Sequence, residues 1–378
     1  MNIAIVCYPT FGGSGVVATE LGIALSKIGH IIHFITYHQP VRLETLNASN
    51  IYFHEVVIPD YPLFKYQPYE LALSSRLVDV VKANAIDVLH VHYAIPHAYA
   101  GYMAKKMLAD EGVHIPIVTT LHGTDITLVG SHPFYRPAVT FSINHSDRVT
   151  AVSESLKQDT LRLFDITIEI DVITNFIDIK KINGKATPCN RDLLASKSDK
   201  IITHISNFRP LKRIYDVIGV FEKILLQVPS KLLMVGEGPE KQKAMDYVKK
   251  QGLTESISFL GNSNEIDKIL CYSDLFLLPS EKESFGLSAL EAMANQVPVI
   301  SSNAGGIPEV NKNGFSGYLS NVGDVEGMAE NALSLLQDEV KLNKFKKQAQ
   351  EQACLFDIDA IIGQYEDIYR EAITENKL

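Results

Sequence analysis

The chain alternates short, β-branched apolar runs with segments of helical length, and this alternation restricts its fold more than any other feature. Near the start, the run "NIAIVCY" is followed by a glycine loop with a helix-spaced segment and then by "HIIHFITY". This strand–helix–strand order predicts neighbouring parallel strands. Apolar runs without polar alternation indicate sheets that helices cover on both faces. We therefore expect an α/β protein built on doubly wound parallel sheets.

The alternation occurs twice, because it stops at the polar segment "NGKATPCNRDLLASKSDK" and begins again at "IITHISNF". A chain of 378 residues also exceeds what one ordinary core holds. We predict a first Rossmann-like domain over residues 1–175, a second Rossmann-like domain over residues 176–356, and a closing helix over 357–378 that packs back on the first domain. Ligands bind at the carboxyl ends of such strands, so a cleft between the domains is the expected site.

Composition excludes several classes of function. The formal net charge is −9, which disfavours nucleic acid and anionic membranes as partners. No apolar run approaches the ~20 residues of a membrane-spanning helix, and the first residues lack the cationic segment of a signal peptide. The cysteines, Cys7, Cys189, Cys271 and Cys354, show no metal-binding spacing. We expect a soluble cytoplasmic protein with reduced thiols.

The glycine loop suggests one alternative function. Gly13, Gly15 and Ala18 fit the GxGxxG/A pattern of a dinucleotide-binding turn, as found in NAD-dependent dehydrogenases. Those enzymes use a carboxylate at the end of the second strand to hold the ribose, whereas this strand ends in "TYHQ", residues 36–39. The sequence therefore favours an anionic or sugar ligand near the loop, with a ligand-free tight turn as the alternative.

Two glutamates, Glu283 and Glu291, lie eight positions apart in "EKESFGLSALEAMA". Glu283 precedes a predicted helix, whereas Glu291 shares the apolar side of that helix, where a carboxylate needs polar partners such as ribose hydroxyls. Helix-start amides that can bind phosphate lie between them and belong to Ser284, Phe285, Gly286 and Leu287. The alternative is a partner of the helix dipole followed by a helix charge that extends to solvent.

The glutamate pair occurs together with five other motifs, "GGSG", "LHGTD", "FRPLKR", "GEGPE" and "GGIPEV". In this order they resemble the retaining glycosyltransferases of family 4, which have the GT-B fold of two Rossmann-like domains, and the resemblance extends over essentially the whole chain. Segments such as "CYPTFGGSGVVATELG" and "HVHYAIPHA" are more similar still to members that join N-acetylglucosamine from UDP-N-acetylglucosamine to L-malate in bacillithiol biosynthesis. A different small acceptor or a lipid is the alternative.

The resemblance implies how the donor is held. Glu291 would bind the uridine ribose, Glu283 the hydroxyls of the donor sugar, and His122 the sugar 6-hydroxyl. His122 could instead be a structural hydrogen-bonding residue. The remaining donor-binding candidates are Gly13, Ser14, Asn207, Gly261 and Asn262.

The resemblance also implies that Arg209 and Lys212 bind the diphosphate, with Arg213 as the alternative to Arg209 and a solvated basic turn as the alternative for all three. A nucleoside diphosphate is a good leaving group, so it needs stabilisation of negative charge rather than a general acid. None of the motifs contains an Asp-x-Asp pair, and we expect neither a metal nor a cofactor. The resemblance to a retaining family further implies front-face transfer.

A dicarboxylate acceptor would need local cations and hydroxyls, because the overall charge of the protein repels it. The candidates fall in or beside strand-end loops of the first domain: Lys65, Tyr93, Thr120, Arg148 and Asn175. Arg148 could equally form a surface ion pair, and Tyr93 could be a core aromatic residue. A homodimer is left open. A sugar-nucleotide-binding protein without catalysis is the non-enzymatic alternative.

Overall fold

The apolar runs of the sequence form the strands of two parallel sheets, which belong to two units of the chain. The computed structural model describes residues 1–10, 12–41, 43, 48–58, 60, 62–183, 191, 196, 198–263 and 265–376. The first unit comprises Met1–Phe176 with Ile358–Leu378, and the second comprises Ile177–Asp357.

Each sheet contains only parallel neighbours. The first has the order β3-β2-β1-β4-β5-β6-β7 and the second β10-β9-β8-β11-β12-β13. The strands are β1 Asn2–Val6, β2 Ile31–Thr36, β3 Ile51–Glu55, β4 Val88–His92, β5 Ile117–Leu121, β6 Arg148–Ala151, β7 Ile170–Val172, β8 Lys200–Ile205, β9 Ser230–Val235, β10 Ile257–Gly261, β11 Leu275–Leu278, β12 Val299–Ser302 and β13 Gly317–Ser320. The predicted pair of doubly wound parallel sheets is confirmed.

Helices connect the strands, as parallel neighbours require. They are α1 Gly13–Lys27, α2 Tyr69–Asn84, α3 Tyr99–Asp110, α4 Arg136–Asn144, α5 Glu154–Leu163, α6 Ile179–Asn183, α7 Ile214–Leu225, α8 Lys241–Lys250, α9 Ile266–Leu270, α10 Leu287–Ala294, α11 Ile307–Val310, α12 Val325–Leu336, α13 Glu339–Cys354 and α14 Ile358–Glu375. Within the described ranges, none of these helices combines the length and the apolar character needed to cross a bilayer.

The strand order of both sheets reverses beside the first strand of the unit. In the first sheet β1 lies between β2 and β4, and in the second β8 lies between β9 and β11. At such a reversal the loops leave neighbouring strands toward opposite faces, so the carboxyl ends of the two strands border a crevice. The fold therefore places the loops after β1 and β4, and those after β8 and β11, at the two expected ligand positions.

The edge strand β3 was not evident in the sequence. Its segment, "IYFHE", places Tyr52 and His54 between apolar residues, and most of the strand is partly exposed. Because an edge strand has only one neighbour, its sequence lacks the continuous apolar run that marks the buried strands.

The last helix, α14, packs against the sheet of the first unit. Its buried residues include Tyr365 and Tyr369. The Tyr369 hydroxyl lies 2.7 Å from His90 Nδ1, in the middle of β4, and the Tyr365 ring lies 5.6 Å from the His90 ring. The final segment therefore completes the core of the first unit although the second unit precedes it in the chain.

Candidate functional site

In the second unit, the candidate residues converge on two loops that follow the adjacent strands β8 and β11. We call residues 206–213 the basic loop and residues 279–286 the glutamate loop. Lys212 Nζ forms an ion pair with Glu283 Oε1, and their side chains are only 15% and 12% exposed. Ser280 Oγ donates to the same carboxylate at 3.0 Å, and Glu281 N donates to Leu211 O at 2.8 Å. The fold thus joins two residues that the sequence assigned separately to the diphosphate and the sugar.

The motif "GGIPEV" contacts the backbone of the glutamate loop directly. Gly306 N donates to Glu283 O at 2.9 Å. A Cβ atom at Gly305 would lie 2.0 Å from Glu283 O, and one at Gly306 would lie 2.4 Å from Ser284 O. Only glycine permits this approach, so the motif holds the main chain of Glu283 and Ser284 in position.

The motif "GEGPE" supports the basic loop in the same way. A Cβ atom at Gly236 would lie 1.8 Å from Ser206 O, and one at Gly238 would lie 1.9 Å from Asn207 O. Gly236 N also donates to the carbonyl of Gly261, the last residue of β10, at 2.8 Å. The donor candidate Gly261 therefore adjoins this motif, and the exposed Asn262 follows it.

The structure separates the two arginines that compete for the diphosphate. Arg213 Nε bonds to Asp216 Oδ2 at 2.5 Å, and its NH1 lies 3.9 Å from Glu281 Oε2. Arg209 is exposed, and its guanidinium has no ion pair with any residue that the structure describes. Arg213 is thus engaged in local structure, whereas Arg209 is available.

The start of α10 follows the glutamate loop. Gly286 has φ 99° and precedes the first helical residue, Leu287. Phe285 is buried against Phe356 at a ring distance of 5.6 Å, so only its main chain can meet a ligand. Glu291 is half-buried, whereas the sequence placed it among the buried residues of this helix. It lies at the margin of the apolar face, because its helix neighbours Leu290 and Ala292 are the fully buried ones.

In the first unit, the loops after β1 and β4 are joined by side chains. Ser14 Oγ, in the first turn of α1, lies 2.8 Å from the Tyr93 hydroxyl. Gly13 is exposed beside Ser14. A Cβ atom at Gly15 would lie 2.5 Å from Tyr8 O, so the glycine permits a close turn. Tyr93 has φ 86°, a conformation that costs energy for a residue with a side chain.

His122 lies directly after β5, as the sequence predicted, and the residue is 9% exposed. Its Nε2 lies 2.8 Å from Nδ1 of His92, the last residue of β4. The Tyr93 ring packs 5.2 Å from the His122 ring. Burial lowers the pKa of His122 to about 3, with a further contribution from His97, so the imidazole is neutral at physiological pH.

Asp125 fixes the loops that carry these rings. Its Oδ1 accepts hydrogen bonds from His122 N at 3.2 Å and Gly123 N at 2.8 Å, and its Oδ2 accepts one from Ala94 N at 2.9 Å. Burial raises the pKa of Asp125 to about 6, against the opposing effect of these backbone donors. The carboxylate therefore links the loop after β5 to the loop after β4.

An aromatic cluster surrounds this corner and was not evident in the sequence. It consists of Tyr8, Tyr37, Tyr69, Tyr93 and His97, with ring distances from 4.6 Å to 6.3 Å. Several polar atoms here are enclosed without a hydrogen-bond partner in the described chain: Thr36 Oγ1, Tyr69 Oη, His92 Nε2 and His97 Nε2. The only available signal was the density of histidine and tyrosine in "HVHYAIPHAY".

Two acceptor candidates, Thr120 and Arg148, lie within strands and not in the strand-end loops where they were predicted. Thr120 lies inside β5 and is 0% exposed; its Oγ1 lies 2.8 Å from His90 Nε2 and 2.7 Å from Thr150 Oγ1. Its hydroxyl therefore faces the core instead of a loop. Arg148 is the first residue of β6, at the amino edge of a sheet whose ligands are expected at the carboxyl edge. It forms ion pairs with Glu375 and, at 3.4 Å, with Glu371 of α14.

Two other acceptor candidates do follow carboxyl ends of strands. Lys65 is exposed between β3 and α2, with its Nζ 5.6 Å from the Tyr66 ring centroid. Asn175 follows β7, is 7% exposed, and has an enclosed Oδ1 atom without a hydrogen-bond partner in the described chain. A buried amide oxygen of this kind is costly unless a ligand or water donates to it.

Cysteines and acidic residues form no metal centre in the part of the chain that the structure describes, where no group of three or more potential ligands occurs. Cys7 is buried, and burial raises the pKa of its thiol to about 12. Cys271 and Cys354 are exposed, and Cys189 lies outside the described residues.

Comparison with known proteins relates both halves of the chain to glycosyltransferases. Residues 11–181 match the family described as Glycosyltransferase Family 4, and residues 190–352 match the family described as Glycosyl transferases group 1. The chain is 46% identical over 379 aligned residues to N-acetyl-alpha-D-glucosaminyl L-malate synthase of Bacillus anthracis, covering 100% of this chain and 98% of that protein.

Solved structures show the same architecture. Anabaena Alr3699/HepE, in complex with UDP and glucose, superposes with a TM-score of 0.80 at 21% identity, covering 97% of this chain and 99% of that one. A glycosyltransferase from Rickettsia africae ESF-5 superposes with a TM-score of 0.78 at 20% identity, covering 98% of each chain.

Proposed function

Because this chain belongs to glycosyltransferase family 4 and has the GT-B fold, we propose that it transfers N-acetylglucosamine from UDP-N-acetylglucosamine to L-malate. The chain is a glycosyltransferase, so the dehydrogenase alternative is wrong. The proposal of this donor and acceptor rests on the 46% identity to the malate-using relative, which extends over the full length of both chains. We further propose that this reaction is the first step of bacillithiol biosynthesis.

The observation that carries the proposed donor site is the ion pair between Lys212 and Glu283 at the strand-order reversal of the second unit. A sugar nucleotide presents a diphosphate beside sugar hydroxyls, and this pair presents an ammonium beside a carboxylate. Glu291 would accept hydrogen bonds from the ribose hydroxyls. The amides at the start of α10 would add donors for phosphate oxygens.

The proposed chemistry requires charge stabilisation and no metal. The bond between the anomeric carbon and the β-phosphate oxygen breaks, and the malate hydroxyl forms the new bond on the same face. The departing phosphate oxygen takes the proton of the malate hydroxyl. The proton that the acceptor loses therefore leaves with UDP. Lys212, the available Arg209 and the amides after Glu283 would stabilise the negative charge that develops on the diphosphate.

The acceptor would bind in the first unit. Asn175 follows the carboxyl end of β7, where its amide N–H groups could donate to a malate carboxylate. Lys65 is the cation among the remaining candidates, and Tyr93, held by Ser14, offers a hydroxyl. Thr120 is buried in the core and Arg148 lies at the amino edge of the first sheet, so neither is part of the proposed acceptor site. A soluble donor and acceptor also favour a cytoplasmic location. A homodimer is the alternative to a monomer.

The direct test is to incubate the purified chain with UDP-N-acetylglucosamine and to measure UDP release with L-malate, inositol phosphate or no acceptor. We expect release only with malate, a product with the mass of the malate glycoside, and an α-anomeric coupling in its proton NMR spectrum. The reaction should continue in excess EDTA. Glycosylation of inositol phosphate or a lipid instead of malate would leave only the family assignment.

Substitutions of Glu283 and Glu291 should have different effects on the binding of UDP and on the use of the sugar nucleotide. At about 100 times its dissociation constant, UDP should raise the free energy of unfolding by about 2.7 kcal/mol. We expect Glu291→Ala to reduce the resulting shift in melting temperature, whereas Glu283→Ala should keep it and should lower activity with the sugar nucleotide. Equal loss of UDP binding in both variants would contradict the assignment.

A further inference from the structure

Two buried histidines of the first unit, His92 and His122, form a hydrogen-bonded pair. His92 and His122 end or follow the neighbouring strands β4 and β5, and their facing nitrogens, His92 Nδ1 and His122 Nε2, are 2.8 Å apart. Burial lowers the pKa of both rings below the ordinary value, with neighbouring histidines adding to the effect. Both rings are therefore neutral at physiological pH, and a single proton lies between the two facing nitrogens.

The environment of the two outer nitrogens differs. His92 Nε2 is enclosed and has no hydrogen-bond partner in the described chain. His122 Nδ1 likewise has no partner among the described residues, but it is not enclosed, so solvent or a ligand can reach it. If His92 carried its proton on Nε2, an N–H donor would be buried without an acceptor. Buried N–H groups without a partner are rare in proteins.

His97 provides an internal precedent for the alternative arrangement. Its Nδ1 lies 2.6 Å from the carbonyl oxygen of His92, which can only accept, so Nδ1 carries the proton. Burial lowers the pKa of His97 to about 4, so its Nε2 is an unprotonated nitrogen, and that nitrogen is enclosed without a partner. This part of the fold therefore already contains one enclosed imidazole lone pair.

We propose that His92 is a positioning residue that donates its Nδ1–H to His122 Nε2 and thereby fixes His122 as the tautomer with its proton on the accessible Nδ1. The hydrogen bond selects the tautomer because a neutral imidazole that accepts at one nitrogen must carry its proton on the other. His122 then presents an N–H donor to an oxygen of the donor sugar, which makes it a hydrogen-bond donor and not a general base. This inference rests on the proposed function and on the contact with the sugar 6-hydroxyl that the family resemblance implies for His122.

The tautomer can be measured in the protein without substrate. Long-range proton–nitrogen NMR spectra distinguish protonated from unprotonated imidazole nitrogens, and His122 is assigned by the signals that disappear in His122→Asn. We expect a protonated Nδ1 and an unprotonated Nε2 on His122. A protonated Nε2 on His122 would overturn the proposal whatever reaction the protein catalyses, so its failure is distinct from failure of the proposed function.

Variants test the consequence for activity. His92→Leu removes the donor, and we expect kcat/KM for UDP-N-acetylglucosamine to fall about 10-fold or more, equivalent to about 1.4 kcal/mol, with the KM for malate and the affinity for UDP unchanged. His92→Asn keeps an amide donor close to the position of Nδ1, so it should recover most of the lost activity. A His92→Asn variant as impaired as His92→Leu would contradict the donor role.

His90→Leu is the matched control. His90 lies two residues earlier on β4 and is equally buried, and its ring centroid is 4.3 Å from that of His92, but it forms no hydrogen bond with His122. It should lower stability and leave kcat/KM for UDP-N-acetylglucosamine within about 2-fold of the original value, because it removes buried contacts and not the donor. If His92→Leu does not fold, the tautomer measurement and His92→Asn still decide the question.

Discussion

The two units have their candidate sites at the same point of the same architecture, beside the reversal of strand order. The residue types that form the two sites differ. All twelve histidines except His204 lie in the first unit, and several of them meet behind the carboxyl ends of β4 and β5. The second unit instead uses a partly buried ion pair and loops that glycines hold in backbone contact. The difference suits the proposed ligands, because a diphosphate needs charge and a rigid main chain, whereas the sugar 6-hydroxyl that His122 would contact can be bound by a neutral, directional imidazole.

The comparison predicts that acid destabilises the first unit more than the second, which is the largest effect expected. Burial lowers the pKa values of His90 and His122 to about 3 and that of His97 to about 4. Between these values and the ordinary 6.5, the unfolded chain binds protons that the folded unit does not. The free energy of unfolding is therefore highest above pH 6.5 and falls as the pH decreases toward 4, by up to about 1.4 kcal/mol per pH unit for each histidine.

Asp125 opposes this trend, because its folded pKa of about 6 lets the folded unit keep a proton that the unfolded chain loses near 3.8. The histidines outnumber it, so the net change keeps their sign. Hydrogen exchange of peptides from each unit at pH 7, 6 and 5, corrected for intrinsic rates, measures the difference. Earlier loss of protection in the second unit, where His204 is the only histidine, would contradict the comparison.

The ion pair of the second unit should be the most sensitive point for activity. Lys212→Ala removes a cation from the proposed diphosphate site and leaves the Glu283 carboxylate partly buried beside no ammonium. We expect kcat/KM to fall about 100-fold or more, because preorganised charges in such sites contribute at least this much. Lys223→Ala is the control, since Lys223 pairs with Glu326 at the surface of the same unit. Activity of Lys212→Ala within ~3-fold of the original would refute the role, given that single preorganised donors usually matter more.

The backbone contact between Gly306 and the glutamate loop should have the next largest effect on activity. Gly306 has an ordinary φ of −78°, so Gly306→Ala causes no backbone strain and tests only the approach of a Cβ atom to Ser284 O at 2.4 Å. We expect a displaced glutamate loop and about 10-fold lower kcat/KM, because small shifts of positioned groups are costly in catalysis. Gly219→Ala, whose Cβ would meet Val325 Cγ1 at an ordinary 3.4 Å, should leave kinetics unchanged. Equal kinetics for both variants would show that the contact is not needed.

The smallest effect is expected at Arg148. Its ion pairs with Glu371 and Glu375 lie at the amino edge of the first sheet, so Arg148→Ala should change the KM for malate by less than about 2-fold and stability by about 1 kcal/mol or less. Lys65→Ala, after the carboxyl end of β3, should raise that KM about 10-fold, equivalent to about 1.4 kcal/mol. Steady-state kinetics with varied malate measures both. A reversed order would return Arg148 to the acceptor site.

Much of the molecule follows from the sequence alone. The alternation of apolar runs and helical segments predicts both parallel sheets, and the motifs place Glu283, Lys212 and His122 in loops that directly follow strands. These features are local, since side-chain periodicity and glycine turns are encoded within a few neighbouring residues. The edge strand β3 escaped detection because its exposed side carries polar residues that break the apolar run.

Which side chains meet was decided only by the tertiary structure. Thr120 faces the core and Arg148 lies at the edge of the sheet opposite to the one where ligands are expected, because the orientation and register of β5 and β6 are set by their neighbours. His92 and His122 are 30 residues apart, and Lys212 and Glu283 are 71 apart, yet each pair is in contact. Their contacts depend on the order in which parallel strands assemble, and strand order is a property of the folded sheet that no local pattern encodes.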